Sequence, residues 1–229
     1  SMPDTDGTPL LERILDSAAQ KGTGKWTGIS ALELGVPLTL INEAVFARDL
    51  SARKEERMRA AQRIDGDGGV FRGVRAQVID DLHAALYASK IISYAQGFML
   101  MMEAARSHGW KLGFGDIALI WRGGCIVRAG LLEDIRVVYA EKPDLSNMLL
   151  AEPFRTAIES RQANWRTVIQ TAVANGIPVP ALAHSLAYFD AYRTGRLPAN
   201  MTQAQRDYFG SHTYRRIDKD GVFHTEWED

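Results

Sequence analysis

The 229-residue sequence predicts an all-α fold: a large multi-helix domain with two long buried helices and an extended C-terminal tail. Three observations carry that expectation. Apolar residues recur every three or four positions through most of the chain, the period of one helix face. No proline interrupts residues 71–107. Nowhere does a strand-like run lead through a glycine-rich turn into a helix, so no Rossmann unit is expected within this chain.

The elements follow in order. Ser1 precedes an initiator-like Met2, the order of a cloning scar, and residues 1–8 are read as scar and linker. Thr8 can cap a helix with Pro9 at its first position and Leu10, Leu11, Ile14, Leu15 and Ala18 on one stripe. The polar stretch "KGTGKWT" comes next, and Thr27 or Ser30 can start a short helix that Gly35 stops. Pro37 opens a segment carrying Leu38, Ile41, Val45, Ala47 and Leu50, whose continuation Arg53–Arg57 is a solvated charged face. Residues 65–69 are a flexible break without the closing Glu of a calcium loop. Residues 71–107 then form one very long helix. Its second half, "SYAQGFMLMMEAA", is apolar nearly all round, as in a helix buried within a large helical assembly or dimer. Met99, Met101 and Met102 belong to that packing rather than to a metal site. Shorter helices are expected over 116–128, 131–139, 154–175, 180–193 and 201–209. After Gly210 the helical period ends, and residues 211–229 read as an extended tail or short hairpin around a Lys-Asp-Gly turn. The helical domain is therefore placed at 9–210.

Composition narrows the function. With 46% hydrophobic and 24% charged residues and a net charge of -1, the chain has no global basic field, so nucleic acid is not an expected partner. No apolar run approaches the roughly 20 residues of a membrane helix, and no signal peptide is recognisable. The single cysteine, Cys125, cannot form an internal disulfide, which fits a reducing, cytoplasmic setting. No metal ligand set is expected.

Four places could carry chemistry. "KGTGKWT" fails as a nucleotide P-loop, because Gly24-Lys25 is followed by Trp26 and an amphipathic helix precedes it. It stands either as a polar interhelical turn or as a sugar-phosphate loop offering backbone N–H groups, a hydroxyl and an ammonium. Arg48 lies within an otherwise apolar helical stretch, where it is an edge residue or an anion ligand. "QRDYFGSHTY" gathers Arg206, Asp207, Tyr208, His212 and Tyr214 where a helix meets the tail, a cap or a second anion pocket. Asp116 reads as a first-turn acid with Arg122 its ion-pair partner, and Gly123-Gly124 as a site of close helix packing.

"QKGTGKWTGISALELGVPLTLINEAVFARDLS", "SYAQGFMLM", "FGDIALIWRGGCIVR" and "LPANMTQAQRDYFGSHTY" together resemble the decarboxylating 6-phosphogluconate dehydrogenases of the pentose phosphate pathway. The resemblance runs from about Leu10 to the C-terminus and covers that family's all-helical C-terminal domain. It implies an NADP-dependent oxidation at C3 of 6-phosphogluconate, loss of carbon dioxide and release of ribulose 5-phosphate without a metal. It also implies that the NADP domain and the lysine base and glutamate acid of catalysis lie outside this chain, which alone is expected to be inactive. By resemblance Lys21 and Thr23 contact the substrate, and Arg48 binds its phosphate. Arg206 and His212 reach the phosphate end from the neighbouring subunit of a homodimer, on which the tail docks. The rival readings are a helical interaction module without ligand, and the helical domain of another β-hydroxyacid dehydrogenase. The latter are smaller and lack "RDYFGSHTY".

Overall fold

The computed structural model describes residues 2–66, 68, 71 and 73–227. Among them are ten α-helices, two short 3₁₀ turns and no strand. The helices are α1 (Thr23–Glu33), α2 (Thr39–Ser51), α3 (Lys54–Ala61), α4 (Arg75–His108), α5 (Phe114–Ile120), α6 (Leu132–Glu141), α7 (Glu152–Glu159), α8 (Gln162–Ala174), α9 (Pro180–Tyr192) and α10 (Ala199–Gly210). They fall into two compact units, Ser1–Tyr188 and Phe189–Asp229.

The first unit is organised around α4. Its 34 residues span about 50 Å at 1.5 Å per residue. Gly109, left-handed at φ 67°, ends it and donates its N–H to the Ala105 carbonyl. Ala85, Ala88, Ile91, Ile92, Ala95 and Phe98 are buried along it. Small alanines let α8 come close, and that pair is the most extensive helix packing in the unit. Around Phe98 the rings of Tyr139, Trp121 and Phe114 stand at 5.2, 5.6 and 6.3 Å between centroids. They close the α5–α6 corner over α4. There Gly115 comes so near α6 that a Cβ would lie 3.2 Å from the Arg136 carbonyl oxygen.

One buried polar side chain on α4 sets α2. No side chain at the first-turn cap position of α2 satisfies its N–H groups. Gln96, fully buried, does so from across the interface. Its Oε1 accepts from the Leu40 N–H at 3.0 Å, and its Nε2 donates to Thr39 Oγ1 at 3.0 Å.

Three expectations are revised. The helix expected from Pro9 to Ala18 is a 3₁₀ turn over Leu10–Arg13, followed by a non-helical strap. Asp6 and Thr8 compete locally for the backbone and for Arg13, which favours turn over helix. Asp16 is drawn onto Lys54 and Arg57 at 2.6 and 3.0 Å. The apolar stripe stays exposed, Leu11 at 69% and Leu15 at 68%. The segment 154–175 is divided between α7 and α8, where the Arg161 N–H bonds the Ile158 carbonyl and leaves that of Ala157 to Ser160 Oγ and the Arg161 guanidinium. The helix expected over 116–128 stops at Ile120, and Gly124 turns the chain at φ 69°.

In the second unit α10 is followed by a tail without helix. Tyr214 and Phe223 exchange both backbone hydrogen bonds at 2.8 Å, an isolated antiparallel bridge around the Lys219-Asp220-Gly221 turn.

Two outcomes test these supports. Gln96→Leu leaves the Leu40 N–H buried without a partner and should cost about 1–3 kcal/mol of stability in urea unfolding. Hydrogen bonds from Lys54, then Arg57, hold the Asp16 carboxyl at about 2, against an ordinary 3.8. A carboxyl depressed on folding stabilises above its unfolded value and loses that contribution as pH falls through the folded one. Wild type should therefore keep the strap more resistant to proteolysis than Asp16→Asn at neutral pH. That difference should close between about pH 4 and pH 2.

Candidate functional site

The strap is fastened to the last turns of α2. The Ala18 N–H donates to Ser51 Oγ at 2.9 Å, and Gln20 Nε2 donates to Asp49 at 2.7 Å. Arg57 donates to the Asp16 and Ser51 carbonyls, both at 2.9 Å. Arg48 donates from its guanidinium to the Ala19 carbonyl. Through these bonds α2 determines where the chain enters "KGTGKWT".

That stretch is half turn and half helix. Lys21 is exposed in the turn, and Gly22 is left-handed at φ 100°, a conformation that glycine adopts without strain. Thr23 is the first residue of α1 rather than a loop residue, and no side chain caps that helix start. The 11-residue helix thus opens without a side-chain cap, with Lys21, Thr23 and Lys25 near its start in sequence and Arg48 of α2 bonded to the Ala19 carbonyl just ahead. A helix N-terminus among cations is suited to an anion. The other glycines serve packing. A Cβ on Gly24 would lie 2.7 Å from Val45 Cγ2, and one on Gly28 would lie 2.7 Å from Asn42 Oδ1. Their spacing of four residues puts both on the face of α1 that meets α2.

Arg206 and His212 lie in the second unit. Arg206 is exposed near the end of α10 and donates to Gln203 Oε1 at 3.1 Å. Gln203 Nε2 in turn donates to the Thr213 carbonyl at 2.5 Å. The His212 ring lies over Gly210, where a Cβ would be 2.9 Å from its Nε2. Ser211 and Thr213, on either side, are left-handed at φ 50° and 61°. For a β-branched threonine that is a strained backbone.

Beneath them Asp207 is fully buried. Its Oδ1 accepts from the Thr213 N–H and His224 Nδ1, each at 2.9 Å. Its Oδ2 accepts from the Thr225 N–H at 3.0 Å and Trp227 Nε1 at 2.9 Å. Burial alone would raise this carboxyl; the donors, His224 foremost, outweigh it and hold the pKa at about 2. The His224 imidazole is raised in return, chiefly by its bond to Asp207. Sequence reading placed Asp207 in the right cluster but gave it only a capping role. Seventeen residues of separation hid its link to His224.

Other candidates resolve differently. Arg122 pairs with Glu133 at 2.7 Å and not with Asp116, which remains in the first turn of α5. A Cβ on Gly123 or Gly124 would meet nothing within 4 Å, so this pair serves a turn and not close packing. Trp121, Ile126, Val127 and Arg128 of "WRGGCIVR" instead line a cavity of about 400 Å³ together with Ile41 of α2 and Lys90 and Tyr94 of α4. Among the described residues no three His, Cys, Asp or Glu side chains cluster as a metal site, and no helix is long and apolar enough to cross a membrane.

The chain matches the family model described as "6-phosphogluconate dehydrogenase, C-terminal domain" over residues 1–227. It is 54% identical over 226 residues to the decarboxylating 6-phosphogluconate dehydrogenase of Mus musculus, covering 98% of this chain and 47% of that protein. To the Schizosaccharomyces pombe enzyme of the same name it is 57% identical over 210 residues, covering 92% and 43%. It is similar in structure, at a TM-score of 0.90 and 42% identity, to the Plasmodium falciparum 6-phosphogluconate dehydrogenase, solved apo, with its cofactor NADP+ and with its substrate 6-phosphogluconate. That match covers 96% of this chain and 48% of the other. The chain thus spans about half the length of the relatives it matches, and with its helices in the same arrangement it belongs to the 6-phosphogluconate dehydrogenase family, as the C-terminal domain.

Proposed function

We propose that this domain binds the phosphate end of 6-phosphogluconate and joins two subunits, in an enzyme that uses NADP to oxidise and decarboxylate that sugar acid to ribulose 5-phosphate. One observation supports the reading above the others. Lys21 and Thr23, expected as ligands, flank Gly22 at the uncapped start of α1, and Arg48, the third, bonds the Ala19 carbonyl two residues before Lys21. The guanidinium that fastens the strap still has N–H groups to offer a phosphate, because one carbonyl takes only part of a five-donor fork.

In this reading Arg206 and His212 of a second copy complete the site, and the protein is a cytoplasmic homodimer. Exposed apolar side chains on the 3₁₀ turn, the strap and the first half of α4, among them Leu11, Leu15, Ile79 and Leu86, are consistent with a subunit contact. Among the described residues there is no parallel sheet and no glycine-rich turn from strand to helix. In this reading NADP is bound mainly by parts of the protein that its relatives have beyond the matched half. The base and acid of catalysis are assigned there too.

Calorimetric titration of 6-phosphogluconate into the chain tests the reading. Saturable binding is expected, weakened about tenfold to a hundredfold in Arg48→Ala and in Arg206→Ala, the loss of a charge-assisted hydrogen bond. Equal binding by wild type and both variants would remove these residues from the site. No saturable binding by wild type would favour the helical interaction module.

A further inference from the structure

We infer that Asp207 is the positioning residue of the Arg206–His212 anion site, holding a strained turn in the one shape that presents both side chains. The inference rests on the proposed function for the identity of the anion. The geometry is independent of it.

Ser211 and Thr213 both take left-handed backbone that their side chains disfavour, with His212 between them. Such strain survives only where the surroundings over-determine the conformation. Here they do. The Thr213 peptide unit is gripped at both ends, its N–H by Asp207 Oδ1 and its carbonyl by Gln203 Nε2. Gln203 is also the residue that holds Arg206. One side of α10 therefore fixes the turn, and the adjacent position presents the exposed guanidinium. The second carboxylate oxygen of Asp207 is used entirely on the returning tail, through Thr225 and Trp227, so the tail cannot leave without exposing the carboxylate. The charged groups facing His224 are Asp207, at 2.9 Å from α10, and Glu226, at 3.6 Å from the tail itself.

Four N–H donors on one fully buried carboxylate admit no neutral substitute. In Asp207→Asn an amide NH₂ must face either the Thr213 N–H, beside an imidazole that can switch tautomer, or the Thr225 and Trp227 donors, so at least one N–H loses its acceptor. Substitution should release the turn while leaving Arg206 and His212 in the sequence.

The test is a mutant cycle on the full chain, with 6-phosphogluconate affinity read by calorimetry and amide exchange read at Thr213. Asp207→Asn should weaken binding about tenfold or more and speed exchange at Thr213. In an Arg206→Ala, His212→Ala background it should cost almost nothing further, because a residue acting only through those two has nothing left to position. General loss of structure would instead weaken binding in both backgrounds. If Asp207→Asn does not fold, Trp227→Phe removes one of the four donors and should show a smaller loss with the same non-additivity. Wild-type affinity in Asp207→Asn, or a loss that persists in the double-variant background, overturns the inference. Should wild type bind no 6-phosphogluconate, the proposed function fails. The exchange then decides alone: unchanged protection at Thr213 in Asp207→Asn overturns the positioning role, and lost protection upholds it.

Discussion

The first unit depends on a primary amide buried in a helix. Gln96 sits in the apolar half of α4 with no exposure. Its amide is paired with Thr39 and the Leu40 N–H at the start of α2. A buried amide left without partners is costly, so α2 must begin there and nowhere else along α4. From that anchor the rest follows geometrically. α2 carries Ser51, Asp49 and Arg48 to the strap, and the strap delivers Lys21 and Gly22 to the start of α1. α1 then closes on α2 through Gly24 and Gly28. The candidate phosphate ligands are exposed, but their positions are set by a polar group that no solvent reaches.

The second unit solves the same problem with a charge. An extended tail has few apolar contacts with which to hold a shape. Asp207 replaces them with four converging hydrogen bonds, and the neighbouring residues are free to remain exposed. In both units a buried polar residue specifies backbone, and a neighbouring exposed cation is left available for a ligand. The division explains why "QRDYFGSHTY" mixes ligand-like and core-like residues at adjacent positions: on a helix near its end, position 206 faces out and position 207 faces in.

Much of this was legible in the sequence, and the exceptions have physical causes. The long helix was visible in its unbroken apolar period, although it begins at Arg75 and not at 71, and the stop at Gly35 follows from left-handed glycine. The stripe from Leu10 to Ala18 looked helical because its spacing is helical. Spacing does not reveal what a stripe packs against, and in this chain it packs against little. The break at Ser160 was hidden because serine and arginine are tolerated within helices and end one only when their side chains turn back on its carbonyls. For the site, the residue types at Lys21, Thr23, Arg48, Arg206 and His212 spoke for an anion, and the resemblance gave them roles. The glycines of "KGTGKWT" pointed to backbone opened for a ligand, whereas Gly24 is explained by Val45 across a helix pair. Gln96 and Asp207 were beyond reach, because the partners of a buried polar group lie far away in sequence.

The central claim is that one phosphate site draws Arg48 from one subunit and Arg206 from another. Mixing separately purified Arg48→Ala and Arg206→Ala chains tests it most directly. In a two-fold dimer each variant alone spoils every shared site, whereas a mixed dimer rebuilds one site from its two intact arginines. The account predicts that affinity for 6-phosphogluconate near that of wild type reappears at a fraction of the sites once subunits exchange. Affinity that stays at the level of the separate variants after verified exchange would place both arginines within the same subunit's site, or outside any site, and would contradict it.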